Sequence, residues 1–593
     1  MQRLIQGCSA LLLIFCSILW TSCHNESESL PPSKELKDLF QHYWDERMQL
    51  YPLEATAIGD NRYNDRLTIT ISDTFRTHAK EFYQRYLTQS QAFSGKLNKA
   101  DQLSKDLFEY ELSIHLKEFE FPFHLMPINQ FWSFTLEFPQ LGSGDAAQPF
   151  KTVKDYDQFL ARMQQFPAWI ETAIGNMREG MKQGIVLPKI LASKMIPQIK
   201  GLLTIDPTRS IFYNPIKKLP ADFSEADKKR LENAYFYHIS QYIIPSYSKL
   251  ENFLRDDYIP ACRETHGISA IPNGRAYYDY LIQYYTTTDL SADSIYNLGL
   301  QEVARIEAEM ENVKTSVGFT GTLPAFFTYL NSDPQFYPFT TPKQVLDSFW
   351  AIHKTEEPFL KRIFEQTPKT KFEIRQTEEY RAASASAEYN AGSEDGTRPG
   401  IFYTPILDPK KFNAVGMETL FLHEAIPGHH YQISLQQENK DLPQFRKFLG
   451  YSAYAEGWAL YTETLGKDLG LYKNPYQYFG HLSDAMHRAL RLVIDAGIHT
   501  RQLSHDSAIA YMTSHERISA QEAEAEIERY MAIPGQALSY KIGQLTISAM
   551  KATSQKQLGA KFNLAAFHTQ VLNGGNMPLE VLEKKLADWT KTY

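Results

Sequence analysis

A histidine and a glutamate stand side by side at His423 and Glu424, and two more histidines follow at His429 and His430. These residue types suit metal-assisted hydrolysis. Two imidazoles on one helical face hold zinc, and the carboxylate beside the first takes a proton from water. The usual second histidine is at i+4, a turn of about 400° that returns to the same face. Here that position is Pro427. On an unbroken helix His430, at i+7, turns about 700° and returns to the face of His423, whereas His429 at i+6 does not. Yet Pro427 cannot donate to the carbonyl of His423, and Gly428 relaxes the backbone. A two-residue bulge there carries His429 to the i+4 face. His429, which follows a glycine as the second ligand does in lengthened motifs, is the preferred ligand. His430 is the alternative, or lies beside the ligands and towards substrate.

Zinc of this kind needs a third protein ligand and an open position for water. Glu456 follows 27 residues after His429, flanked by Ala455 and Gly457, small residues that allow close helix approach. It is the expected third ligand. Glu463, at i+7 from Glu456, shares its face and is placed to orient a ligand histidine, or to replace Glu456 as ligand. Donors for the oxyanion of a tetrahedral intermediate are sought at His499, Tyr540 and Arg491. Asp495 lies four residues before His499 and is expected to orient its imidazole. Arg491 and Arg488 have the plainer reading of helix salt bridges. A strand-like run at residues 400–403 is read either as an edge strand able to pair with an extended peptide, with Tyr403 facing substrate, or as an ordinary internal strand. Arg398, just before it, is a candidate partner for a substrate carboxylate.

The motifs His423-Glu-Ala-Ile-Pro-Gly-His-His430, Glu456-Gly-Trp-Ala-Leu-Tyr461, Arg491-Leu-Val-Ile-Asp-Ala-Gly-Ile-His499 and Pro534-Gly-Gln-Ala-Leu-Ser-Tyr540 resemble those of the bacterial domain-of-unknown-function 885 family. That family is grouped with the gluzincin metallopeptidases. The resemblance spans most of the chain after its N-terminal segment. It implies a mainly α, large helical peptidase fold with a deep cleft, one Zn2+ ion, and a peptide substrate of undefined sequence.

The elements that must position these residues are mostly helical. One helical face runs through Leu36, Leu39, Phe40, Tyr43 and Trp44. Similar periods cover residues 73–86, 100–117 and 155–183. Residues 224–254 read as one long helix capped by Ser224, and Ser291 caps another that runs to about Lys314. Residues 121–138, rich in proline and aromatics, lack a helical period. Short strand-like runs at 372–374, 382–389 and 400–403 are expected to form a small sheet just before the catalytic helix. A soft boundary near residue 290 divides an N-terminal helical region, 35–290, from a catalytic region, 291–593, and the two are also readable as one continuous unit.

Arg3, the apolar run 10–19 and the small residues before Cys23 read as a signal peptide over residues 1–22. Cys23 is then the lipidated residue of a bacterial lipoprotein, although Trp20 departs from the usual aliphatic position. Residues 23–34 form a tether, and the expected location is exported, on the periplasmic or cell-surface side of a membrane. Cys262 remains as a lone thiol, read as a small buried hydrophobe. The formal charge of −8 is spread along the chain without a basic stripe, which argues against nucleic acid as a partner. Two other readings stand beside the zinc peptidase. One is a non-catalytic binding lipoprotein on a peptidase fold. The other is a metal-dependent amidase acting on cell-wall peptides.

Overall fold

The computed structural model describes residues 30–378, 382, 385–393 and 398–593. The expected signal peptide, Cys23 and the first part of the tether lie outside the described residues, as does part of the strand-like run 382–389.

The chain folds mainly as α-helices. Ser33 caps the first, Lys34–Leu50, by accepting the Leu36 N–H, and the helix buries Leu36, Phe40 and Tyr43. Its apolar stripe packs on Asp73–Gln91, Lys99–Glu118 and the distant Phe445. The run expected over 224–254 begins as read, with Ser224 accepting the Asp227 N–H. It is not a uniform α-helix. Glu225–His238 passes through a π-turn at Ile239–Ile243, and a second follows at Leu254–Tyr258. Each π-turn lies directly before a proline-bearing first turn, Pro245 or Pro260. A proline lacks the N–H that would continue the ladder, so the wider turn accommodates it. Within the aromatic stretch 121–138 a short helix begins, Phe134–Leu141, despite Pro139 inside it. Burial of Phe138 against Phe159, Phe166 and Phe212 outweighs its weak local propensity.

A three-stranded sheet comprises β1 (Phe372–Gln376), β2 (Glu388–Asn390) and β3 (Gly400–Thr404), in the order β1-β3-β2. β1 runs parallel to β3 and β2 antiparallel to it. β3 is therefore the central strand, so of the two readings of residues 400–403 the internal strand holds and the edge strand does not. Among the described residues the outer strands are β1 and β2. Phe372 and Phe402 pack on Phe421, which sets the sheet against the helix Met417–Glu424.

The main apolar core draws on both sides of residue 290, from Leu107, Tyr278 and Ile282 to Trp458, Leu492 and Leu586. Hydrogen bonds cross there too: Tyr451 donates its hydroxyl to Glu111 at 3.0 Å and Tyr278 to Asp495 at 2.5 Å. Among the described residues no helix is long and apolar enough to cross a membrane.

Candidate metal centre

The helix Met417–Glu424 carries His423 and Glu424 on its last turn. The chain does not bulge at Pro-Gly as expected. The helix ends at Glu424, and a new one, His429–Glu438, starts five residues later after a cis Ile426–Pro427 bond. Only glycine fits at 428, because a Cβ there would lie 1.9 Å from the His423 carbonyl oxygen and 2.3 Å from that of Leu422. Trp458 donates its indole N–H to the Pro427 carbonyl at 3.0 Å, and Thr462 donates to the Leu422 carbonyl at 2.9 Å. Both anchors come from the helix Ser452–Glu463, so the break is held against the element that carries Glu456. That helix in turn sits tightly on Ser539–Leu558, where a Cβ on Gly457 would meet the Cα of Gly543 at 2.5 Å.

These constraints bring His423, His429 and Glu456 together, with one potential ligand atom from each lying within 4.8 Å of the others. Glu456 Oε2 is 3.5 Å from His423 Nε2 and 3.7 Å from His429 Nε2. Ligand atoms about 2.0–2.1 Å from a tetrahedral zinc stand about 3.3 Å apart, so the donors fit that ion with small adjustment. Burial opposes ionisation of Glu456, yet the bond to His423 and the charges of His429 and Arg488 hold its carboxyl down to about 2. It is an anion facing two imidazoles. His423 Nδ1 bonds Glu463 Oε1 at 2.8 Å while Nε2 faces Glu456, and these two carboxylates outweigh burial and raise its pKa, so Nε2 would give up its proton on taking a metal while Nδ1–H stays on Glu463. Burial also opposes ionisation of Glu463, but bonds to His423 and His481 keep it down to about 2. His481 was not singled out in the sequence; its Nδ1 lies 3.6 Å from Glu463 Oε2, and its ring stacks on Tyr472.

Glu424 is beside this cluster. Burial pushes its carboxyl up to about 7, with Glu456 adding to the rise and His423, Arg488 and the Tyr389 backbone N–H opposing it. Tyr389 lies opposite Phe402 in the β2–β3 ladder. An N–H turned to Glu424 points away from β3, so the outer side of β2 faces the cluster with that N–H already taken.

His430 is placed elsewhere. Its Nδ1 bonds the Tyr389 hydroxyl at 2.9 Å and its ring packs on Phe372 at 5.0 Å. It fastens the sheet to the second helix and is not among the three grouped donors.

The model of DUF885, described as a bacterial protein of unknown function, matches residues 52–586. The chain belongs to the DUF885 family. A crystal structure described as a "putative lipoprotein" from Colwellia psychrerythraea matches this DUF885 chain with a TM-score of 0.85 and 26% identity, over 94% of this chain and 99% of its own. Another, from Shewanella oneidensis and described as of unknown function, matches with a TM-score of 0.76 and 20% identity, over 93% and 99% respectively. No curated protein matches the DUF885 chain.

Other expected site residues part company with the cluster. His499 is fully buried. Its Nδ1 accepts the Ile268 N–H at 3.0 Å and its Nε2 donates to the Tyr530 carbonyl at 3.0 Å. Both nitrogens are used by backbone, and burial lowers its pKa to about 3. His499 is a neutral structural crosslink, which corrects its assignment as an oxyanion donor. Asp495 does not orient it. Asp495 accepts from Tyr278 and from the Gly535 N–H, at 3.1 Å, and so holds the 534–535 turn. Replacing His499 by Leu leaves a buried N–H and a buried carbonyl unpaired, at a cost of about 1–3 kcal/mol for each group. A lower thermal midpoint with unchanged metal content is the expected outcome.

Tyr403 lies on the strand face opposite Phe402, alongside Arg375, with which it hydrogen-bonds. The helix that carries Glu424 packs on the Phe402 side, so Tyr403 is corrected as a substrate contact. Arg398 is exposed in a turn with Ser393, its N–H donating to Ser393 Oγ at 2.8 Å. Tyr540 is half-buried with its ring beneath Arg491, 4.6 Å from the guanidinium carbon, and Arg488, at 5.6 Å.

Proposed function

We propose that this chain is a zinc-dependent metallopeptidase, related to the gluzincins, that cleaves short peptides. The observation that carries this reading is the grouping of His423, His429 and Glu456 donors beside the buried carboxylate of Glu424. The donor chemistry, two imidazoles and one carboxylate, is that of a catalytic zinc site with an open fourth position. Zinc held there supplies a Lewis acid that polarises the scissile carbonyl and acidifies water.

The chain's own residues do the rest. Glu424 takes the proton from water as its oxygen bonds the carbonyl carbon, then gives that proton to the amine nitrogen as the carbon–nitrogen bond breaks. Its environment suits both directions, because burial brings its affinity for a proton close to neutral pH. Glu463 holds His423 in the tautomer that presents Nε2. Replacing Glu463 by Gln removes the charge behind His423 and is expected to weaken zinc binding about 10–100-fold. Competition with a chelator of known affinity reads that change.

The proposed setting is an exported lipoprotein anchored through Cys23. It is supported by the leader-like N-terminus and by the description of the Colwellia structure. Labelling with a fatty acid, lost on Cys23→Ala, tests it. The function itself is tested by incubating a peptide library with the wild type and Glu424→Gln and comparing products by mass spectrometry.

A further inference from the structure

The helix Pro475–Arg501 brings two arginines to the neighbourhood of the cluster, and the two are treated differently by the fold. Arg491 is buried and well held: Nε donates to the Tyr530 hydroxyl at 3.2 Å, and Nη2 to Glu526 at 3.2 Å and His487 at 3.0 Å. Its remaining nitrogen, Nη1, is buried with no acceptor. Arg488 is half-buried and, among the described residues, has neither a hydrogen-bond acceptor nor a carboxylate within ion-pair distance. Its Nε is fully enclosed and also unpaired. It lies over the face of Tyr540, which it shares with Arg491.

Arginines sheltered from water are normally paired, because a guanidinium removed from solvent without an acceptor is costly. Arg488 Nε and Arg491 Nη1 are both enclosed, so the terminal nitrogens of half-buried Arg488, held on the Tyr540 ring beside Arg491, are the donors open to an anion that is not part of the chain. The planar fork of arginine fits a carboxylate in particular. The position is also right for a substrate end. The positive charge of Arg488 is felt by both Glu424 and Glu456, so an anion on Arg488 lies close to the proton-transfer carboxylate.

We propose that Arg488, Arg491 and Tyr540 form a subsite for the C-terminal carboxylate of a short peptide, so that the chain acts from the carboxyl end rather than within long chains. This rests on the peptidase reading and deepens it. Arg488 makes the direct ion pair. Arg491 adds its positive charge from behind, and Tyr540 keeps both guanidiniums in place. An oxyanion role for Arg488 is the competing chemistry, and it differs in one respect: it would serve all substrates equally, whereas a carboxylate subsite discriminates between free acids and amides.

The experiment compares a mixed-sequence tetrapeptide library as free acids with the same library amidated at the C-terminus. Binding is measured on zinc-loaded Glu424→Gln protein, and cleavage on the wild type. The free acids are expected to bind at least about tenfold more tightly and to be cleaved in preference. Arg488→Met is expected to bring the acid-to-amide ratio close to one, and Arg488→Lys to restore part of it. Equal binding of acids and amides by the Arg488-intact protein overturns the proposal without recourse to any Arg488 variant. An acid-to-amide ratio unchanged in folded, zinc-loaded Arg488→Met also overturns it. Preferential binding of free acids with no cleavage of either library would instead count against the peptidase reading and leave the subsite standing.

Discussion

Glu424→Gln is expected to retain metal and lose peptide hydrolysis by about 10³-fold or more. The substitution preserves shape. The amide oxygen of glutamine can still accept the Tyr389 backbone N–H that now points to Glu424, so the end of the helix keeps its partner. The amide cannot take a proton from water or hand one to the leaving nitrogen. Glu424 is not among the grouped ligand atoms, which come from His423, His429 and Glu456. Metal content should therefore remain that of the wild type. The check is a product profile by mass spectrometry alongside metal analysis of the same sample. Retention of a tenth or more of wild-type activity would remove Glu424 from the role of general base.

The second large effect separates two adjacent histidines. His429→Ala is expected to reduce zinc affinity by more than the 10–100-fold typical of outer partners, since it removes a donor that faces Glu456 at 3.7 Å. His430→Ala is expected to leave zinc affinity within a few-fold and to act on stability. It removes the partner of the Tyr389 hydroxyl and the ring packed on Phe372. Side-by-side chelator titrations and thermal midpoints check both. Loss of zinc from the His430 variant, with retention in the His429 variant, would reverse the assignment.

What could be read from the sequence follows the range of the interactions. His423, Glu424, Glu456 and Glu463 were legible because their relations are set by helical spacing within two short segments. The choice of His429 over His430 was only half legible. Pro427 and Gly428 signal that His429 can join His423, but the chain brings the two together by ending one helix and starting another. The anchors that hold this break, Trp458 and Thr462, come from a different helix. Asp495 and His499 do share a helical face, as their i+4 spacing required. Spacing does not say whether that face looks into the cluster or the core, and here Tyr278, Gly535, Ile268 and Tyr530 claim it. Strand order is equally non-local: residues 400–403 were recognisable as a strand, but their central place depends on β1 and β2 pairing on either side. His481 and the unpaired state of Arg488 have no local signature. Each matters only through what the fold places, or does not place, beside it.

The most direct test of the central claim is a calorimetric zinc titration of the chelator-treated full chain, with His423→Ala as the control. The account predicts one tight zinc per chain, absent from the control. A wild-type chain that binds no zinc, or that binds it as tightly after His423 is removed, would contradict it.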